Sequence, residues 1–301
     1  MADSALARSA HLLDPAVVAR LGTMELKART IVEGLTLGLH RSPYHGFSTE
    51  FAEYRPYVVG DDTAWIDWKV FARSDRYYVK KWDADTNLSC HLLLDTSASM
   101  GYGTGAMTKL TYAATLAAAI AWLVSGQRDA VGLTTFDEHV GLRLPARVRA
   151  GHLHQILLAL ERAKPSAGSD VAKPLRELAE SLERRGLIVL ISDLLDDPED
   201  VVNGLMLLGA RGMEVVVFHI LDEAELTFPF EGPHLFRDLE SRDEVLAVPS
   251  AVRDHYLAEL GRHTDTYVRA LNGVGMDYQV VSTATPLDAS LLGYLRARAR
   301  R

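Results

Sequence analysis

One carboxylate and two hydroxyls stand at alternate positions in the run Asp95-Thr96-Ser97-Ala98-Ser99-Met100. Hard oxygen donors of this kind suit magnesium, with manganese as a close substitute. Two further oxygen-bearing points lie downstream. Ser169-Asp170 sits in the loop that begins at Pro165, and Ser192-Asp193 follows the apolar run Leu187 to Ile191. Magnesium takes about six oxygens and keeps several of them as water. Asp95, Ser97, Ser99, Ser169 and Asp193, with waters, come close to filling that shell and leave one position for a carboxylate from outside. Asp170 and Asp197 are explained by helix N-capping.

Other chemistries at the same residues are open to test against the sequence. A strand-end aspartate beside a metal is also the setting of an aspartyl nucleophile, so a metal-dependent phosphohydrolase using Asp95 is the enzymatic alternative. That chemistry wants a second carboxylate two residues on, and position 97 is Ser. A nucleophile at Ser97 or Ser99 needs a positioned base, and the sequence offers none. Gly101-Tyr102-Gly103-Thr104-Gly105-Ala106 fits G-x-G-x-x-A letter by letter, but a dinucleotide fingerprint turns directly from strand to helix. Here the glycines arrive late and read as a flexible loop over the metal edge. Lys109 lies between Thr108 and Leu110, which excludes a P-loop. There is no His-Glu-x-x-His motif, and His152 and His154 read as residues of a helix surface. The residues point away from catalysis and towards a metal-dependent binding module.

The elements that must position these groups follow from the hydrophobic pattern. The apolar run ending in Leu92-Leu93-Leu94 reads as a buried parallel strand that delivers Asp95 at its carboxyl end, where such sheets bind ligands. From Leu88 onward strands and helices alternate. Strands are expected at Val131 to Phe136, Val140 to Leu144, Leu187 to Ile191, Val215 to Leu221 and Tyr278 to Ser282. Helices are expected at Lys109 to Val124, Leu153 to Ala163, Asp170 to Arg184, Pro198 to Leu208, Val252 to Asn272 and Leu291 to Arg301. The pattern predicts an α/β fold with a doubly wound, mostly parallel sheet flanked by helices, and a hairpin excursion near residues 225–250. Upstream, residues 1 to about 40 look helical, with a strand starting at Thr36-Leu37-Gly38-Leu39. Residues 44–82 hold 11 of the 23 aromatic side chains, dense enough to build the core of a small β-containing subdomain. The expected division is residues 1–86 and 87–301.

Composition narrows the partners. The chain has 301 residues, is 48% hydrophobic and 24% charged, and carries a formal net charge of -8. That charge argues against a nucleic-acid surface, which wants a basic stripe. The single cysteine, Cys90, falls in the expected strand and cannot form an internal disulfide. The longest apolar stretch, Tyr112 to Val124, falls short of the ~20 residues that span a bilayer. No signal-like apolar core opens the chain, and the expectation is a cytoplasmic protein without a membrane segment.

Asp95-x-Ser97-x-Ser99, with a downstream Ser-Asp and a later strand-end Asp, resembles the metal-ion-dependent adhesion site of von Willebrand factor A-type domains. The upstream block is similar to a bacterial family known as domain of unknown function 58. The residues that carry this are Gly46-Phe47-Ser48, Glu50 to Tyr57, Gly60-Asp61-Asp62, Ile66-Asp67-Trp68-Lys69 and Ala72-Arg73, with Arg128 to Leu133 fitting the family's second strand. The resemblance implies a magnesium site in which Asp95, Ser97 and Ser99 bind directly. It implies that Ser169 stands where threonine is usual, and that Asp193 acts through water. Thr63-Ala64-Trp65 departs from the Pro-Arg-containing run that the family usually has there. The family is associated with MoxR-type AAA+ ATPases, so the resemblance further implies an adaptor or chaperone-like partner of such an ATPase, binding an acidic side chain of the ATPase or of a client.

Overall fold

The computed structural model describes residues 14–39, 54–56, 78–80, 89–166, 168, 170–181 and 185–299. They belong to two compact units, one of Met1–Leu37 with Leu88–Arg301 and the other of Gly38–Asn87. The expected N-terminal subdomain of 1–86 therefore divides: the helices before residue 38 group with the larger unit. Aromatic composition marks the start of the smaller unit but says nothing about where the preceding helices pack.

The first helix, α1 (Pro15–Ala19), has proline at its first turn, and the Asp14 side chain accepts from Ala16 N at 2.7 Å, the usual N-terminal cap chemistry. In α2 (Met24–Leu39) the buried residues Met24, Ala28, Ile31 and Leu35 recur at steps of four, three and four, a single helical face. Thr36 to Leu39 continue this helix instead of starting a strand. Extending a formed helix adds a hydrogen bond for each residue fixed, which outweighs the weak strand preference of four residues. In the smaller unit, β1 (Tyr54–Pro56) pairs antiparallel with β2 (Tyr78–Lys80). The remainder of the strand expected at Arg73 to Trp82, and most of the aromatic block, lie outside the described residues.

The larger unit is built on six strands: β3 (Ser89–Asp95), β4 (Ala130–Phe136), β5 (Val140–Arg147), β6 (Leu187–Ser192), β7 (Glu214–Leu221) and, after a two-strand excursion, β10 (Asp277–Ser282). Their order across the sheet is β10-β7-β6-β3-β4-β5, every pair parallel except β4 with β5. This is the doubly wound, mostly parallel α/β arrangement expected from the alternation of strands and helices. The central strands are mostly apolar because helices cover both faces. On one face α3 (Lys109–Gly126) packs with α4 (His152–Arg162) and α9 (Leu287–Ala299). Its alanines at 113, 114, 117, 118, 119 and 121 are all buried, and they let the helix lie close to the sheet. Among the described residues α3 is the one helix long and apolar enough to cross a membrane, and it is mostly buried inside the fold. On the other face α5 (Ala172–Ser181), α6 (Pro198–Ala210) and α8 (Pro249–Gly273) close a core containing Leu175, Leu190, Leu205, Val217 and Tyr267. The excursion after β7 is a short helix, α7 (Glu223–Thr227), then a hairpin of β8 (His234–Arg237) and β9 (Glu244–Ala247), within the expected span of 225–250.

Two histidines stand away from water. His152 opens α4 but turns inward, 6% exposed, with Nε2 2.9 Å from the Val131 carbonyl oxygen. The expected surface position holds only for His154, which is exposed. Two residues, about 200° around the helix, separate them, so one faces inward and the other outward. His219 on β7 is wholly buried among the rings of His263, Tyr267 and Tyr278. Burial, then the neighbouring His263, lower its pKa from 6.5 to about 3. The unfolded chain takes up this proton near 6.5 and the folded chain only near 3. The stability this group contributes is complete above the higher value and is lost as pH falls towards the lower one. His219→Gln is expected to flatten the decline in stability between neutral pH and about pH 5, measured by urea unfolding.

Candidate metal-binding site

β3 and β6 are adjacent parallel strands at the point where the sheet reverses its winding, with Leu94 opposite Ile191. Their carboxyl ends therefore release Asp95 and the Ser192-Asp193 pair side by side, in the crevice where such sheets bind ligands. Thr96 locks the first strand end, its backbone N–H and its hydroxyl both donating to the Phe136 carbonyl at 2.7 and 2.9 Å. The chain then turns. Ser97 N donates to Asp95 Oδ1 at 2.8 Å, and a 3-10 turn at Ala98–Gly101 brings Ser99 beside Ser97, their hydroxyl oxygens 3.0 Å apart. From β6, the Ser192 hydroxyl donates to Asp95 Oδ2 at 2.6 Å and accepts from Leu194 N at 3.0 Å. Leu194 adopts a left-handed backbone, φ 50°. Its carbonyl oxygen is held by His263 Nε2 at 2.8 Å, so α8 fixes the turn that follows Asp193.

Asp193 does not stand alone. Its Oδ2 accepts from the Lys109 ammonium at 2.8 Å, and the same ammonium donates to Glu225 Oε1 at 2.7 Å. The Lys109 and Asp193 side chains are each 1% exposed. Burial works to lower the Lys109 pKa, but Asp193 and Glu225 outweigh it and the net shift is upward. Burial, then Asp193, push the Asp95 carboxyl up to about 7 against the hydrogen bonds from Ser192 and Ser97. Burial likewise raises Glu225, opposed by Lys109. Glu225 also caps α7: its Oε2 accepts from Asp222 N at 2.7 Å, completing a capping box with Asp222. Asp222 in turn takes the Thr104 amide at 3.1 Å and the Thr283 hydroxyl at 3.0 Å. The glycine-bearing loop expected to be flexible is thus tied down at Thr104. At Gly103 any Cβ would stand 2.6 Å from Thr108 Cα.

Four of the five expected ligands, Asp95, Ser97, Ser99 and Asp193, converge. Ser169 lies outside the described residues. Its loop is fastened to the site on both sides: Ser166 N donates to the Thr96 carbonyl at 2.8 Å, and Val171 N to Asp196 Oδ2 at 2.5 Å. Asp170 accepts from Lys173 N at 2.9 Å and Asp197 from Glu199 N at 2.8 Å, the capping roles expected of both. Sequence reasoning missed Lys109 and Glu225. A lysine opening an alanine-rich buried helix is the one signal that could have found the first.

The donors facing the crevice are all oxygens. Among the described residues no group of three or more His, Cys, Asp or Glu side chains could hold a metal, so a cation there depends on the serine hydroxyls. When ionised, Asp95, Asp193 and Glu225 face one ammonium, leaving an excess of two negative charges. That set fits a hard divalent ion such as magnesium or manganese and does not fit zinc, which prefers nitrogen and sulfur.

A family model described as "Protein of unknown function DUF58" matches residues 53–266. Uncharacterized proteins of Mycobacterium tuberculosis and Mycobacterium bovis are each 30% identical over 291 residues, covering 95% of this chain and 91% of the relative. Among solved structures, the conserved hypothetical protein BatB of Bacteroides thetaiotaomicron matches with TM-score 0.48 at 16% identity, over 70% of this chain and 99% of that one. An aerotolerance-related membrane protein of Bacteroides fragilis matches with TM-score 0.46 at 17% identity, over 71% and 100%.

Removing the one cation from this network takes the charge partner from the buried Asp193 and the part-buried Glu225. Lys109→Met is expected to destabilise the fold by about 3–5 kcal/mol. Adding Asp193→Asn and Glu225→Gln to Lys109→Met is expected to restore most of that loss, both read from urea unfolding midpoints.

Proposed function

The chain belongs to the DUF58 family, and from that premise we propose that it is a non-enzymatic, metal-dependent protein-binding module whose partner supplies an acidic side chain to a magnesium site. The supporting observation is the placement of Asp95, Ser97, Ser99 and Asp193 on adjacent loops at the switch point of the sheet. Asp95, Ser97 and Ser99 would hold the ion directly, with Ser169 and a water-bridged Asp193 as the further ligands that the resemblance implies. The ion would supply a Lewis-acidic anchor for a carboxylate.

Lys109 sharpens the argument. It already claims one oxygen of Asp193, so Asp95 is the one carboxylate of the set free of an ammonium. A divalent ion held by one carboxylate and neutral hydroxyls keeps most of its charge, and exchanging a bound water for an incoming carboxylate is then favoured electrostatically. The partner class that fits is a protein presenting Asp or Glu. By resemblance to the family, it is a MoxR-type AAA+ ATPase or its client, met in the cytoplasm, with this chain as adaptor.

The surroundings of Asp95 support binding over turnover. Its oxygens accept from Ser97 N and the Ser192 hydroxyl. Among the described residues, no imidazole hydrogen-bonds Ser97 or Ser99.

Bait-capture from lysate tests the reading. Retention of a MoxR-type ATPase or other partner is expected with magnesium and not with chelator, and is expected to fall at least tenfold with Asp95→Ala or Ser99→Ala. The same partners eluting with and without metal would sink it. So would phosphatase turnover by the purified chain that disappears in Asp95→Asn.

A further inference from the structure

The β8–β9 hairpin ends in a turn that is folded in advance. Asp238 N donates to the Asp243 carbonyl at 2.8 Å, and Asp238 Oδ1 accepts from Glu240 N at 2.7 Å. The Ser241 hydroxyl donates to Asp243 Oδ2 at 2.9 Å. This tip presents Glu240 to the site. The Glu240 carboxyl meets the Ser99 hydroxyl, and the carboxylates of Asp193, Asp196 and Asp238 lie around it. Glu240 Oε1 is buried and has no hydrogen-bond partner. Nor does any lysine, arginine or histidine of the described residues pair with it. A buried carboxylate oxygen left unpaired among other acids is costly, and the group that would satisfy it is a cation at the serine hydroxyls.

We propose that Glu240 is an internal ligand of the metal site, filling the position that a partner's carboxylate would take, so that the β8–β9 hairpin holds the site closed until it is displaced. The inference rests on the metal-site reading above. The hairpin is anchored at its base and open along its strands. Its base is fixed by the rings of Phe228, Phe230, Phe236 and Tyr256, and by Arg253 donating to the Phe228 and Phe230 carbonyls at 2.9 Å. Its strands leave Leu235, Val245 and Leu246 more than half exposed, so little packing resists a swing of the tip. A partner that supplies its own carboxylate replaces Glu240 at the ion, and the closed and open forms then differ by one exchange of like ligands.

The test titrates manganese into the full-length chain, following free ion by electron paramagnetic resonance and bound water by proton relaxation. The wild type is expected to bind saturably, with Asp95→Ala abolishing binding. Glu240→Gln is expected to weaken manganese by roughly tenfold and to raise the relaxation per bound ion by the share of one additional water. In chelator, Glu240→Gln is expected to melt no lower than the wild type, because it removes one of four neighbouring acids. Saturable binding with affinity and relaxation unchanged in Glu240→Gln would overturn the internal ligand and leave the metal site standing. Absence of binding by the wild type would overturn both.

Discussion

Two carboxylates leave neighbouring parallel strands at the switch point of the sheet, and the rest of the site answers the repulsion between them. Asp95 and Asp193 are each 1% exposed, so water does not screen them. The fold deals with each differently. Asp95 is met by dipoles, from Ser97 N and the Ser192 hydroxyl. Asp193 is met by a full charge, the Lys109 ammonium. The asymmetry leaves one carboxylate neutralised and the other awaiting a counter-charge. Burial and the nearness of Asp193 push Asp95 to about 7, which is the physical expression of that unmet demand.

Lys109 also explains how distant loops are tied to one place. It is the first residue of α3, behind the Thr108 N-cap. A helix N-terminus is a poor setting for a cation, because the macrodipole there is positive. Asp193 and Glu225 overcome that, and in doing so join the end of β6 to the start of α7. The Asp222–Glu225 capping box passes the linkage to Thr104 and Thr283. Four loop regions thus depend on one ammonium. Burying the three charges adds little net stability compared with an apolar cluster of the same volume. What it fixes is the relative position of the loops, since an alternative register would strand one of the charges.

What could be read from sequence follows from how local each signal is. Asp95, Ser97 and Ser99 lie within five residues and follow a strand whose apolar run is unmistakable, so their convergence needs only the turn after β3. Asp193 was legible because a strand-end position in a parallel sheet has a known destination. Lys109 and Asp193 lie 84 positions apart, and beyond the alanine-rich buried helix that it opens, nothing local at Lys109 marks an ion-paired ammonium. Thr36 to Leu39 misled because four residues carry too little periodicity to separate helix from strand. The phase of α4, which turns His152 inward and His154 outward, depends on which carbonyls β4 leaves open. The boundary between the two units followed from packing at residues 37–38, whereas the aromatic content changes several residues later.

The excursion between β7 and β10 belongs to the same edge of the sheet. β7 runs parallel to β6, so any insertion after its carboxyl end must emerge beside Asp193. The first turn of that insertion is α7, whose Glu225 is buried against Lys109; the far end is the hairpin tip, whose Glu240 reaches Ser99. The two contacts differ in kind. The root is joined through an ion pair to the buried Lys109 and through the Asp222 network, so it cannot leave without taking one of its two carboxylates from Lys109. The tip is joined through one carboxyl with an unsatisfied oxygen, and its strands carry exposed apolar side chains. A segment anchored at its root and held at its tip by a single carboxyl–hydroxyl contact is the part of this edge that could shift with least loss of the core. That division of labour would let the fold regulate access to the proposed ion without changing the residues proposed to bind it.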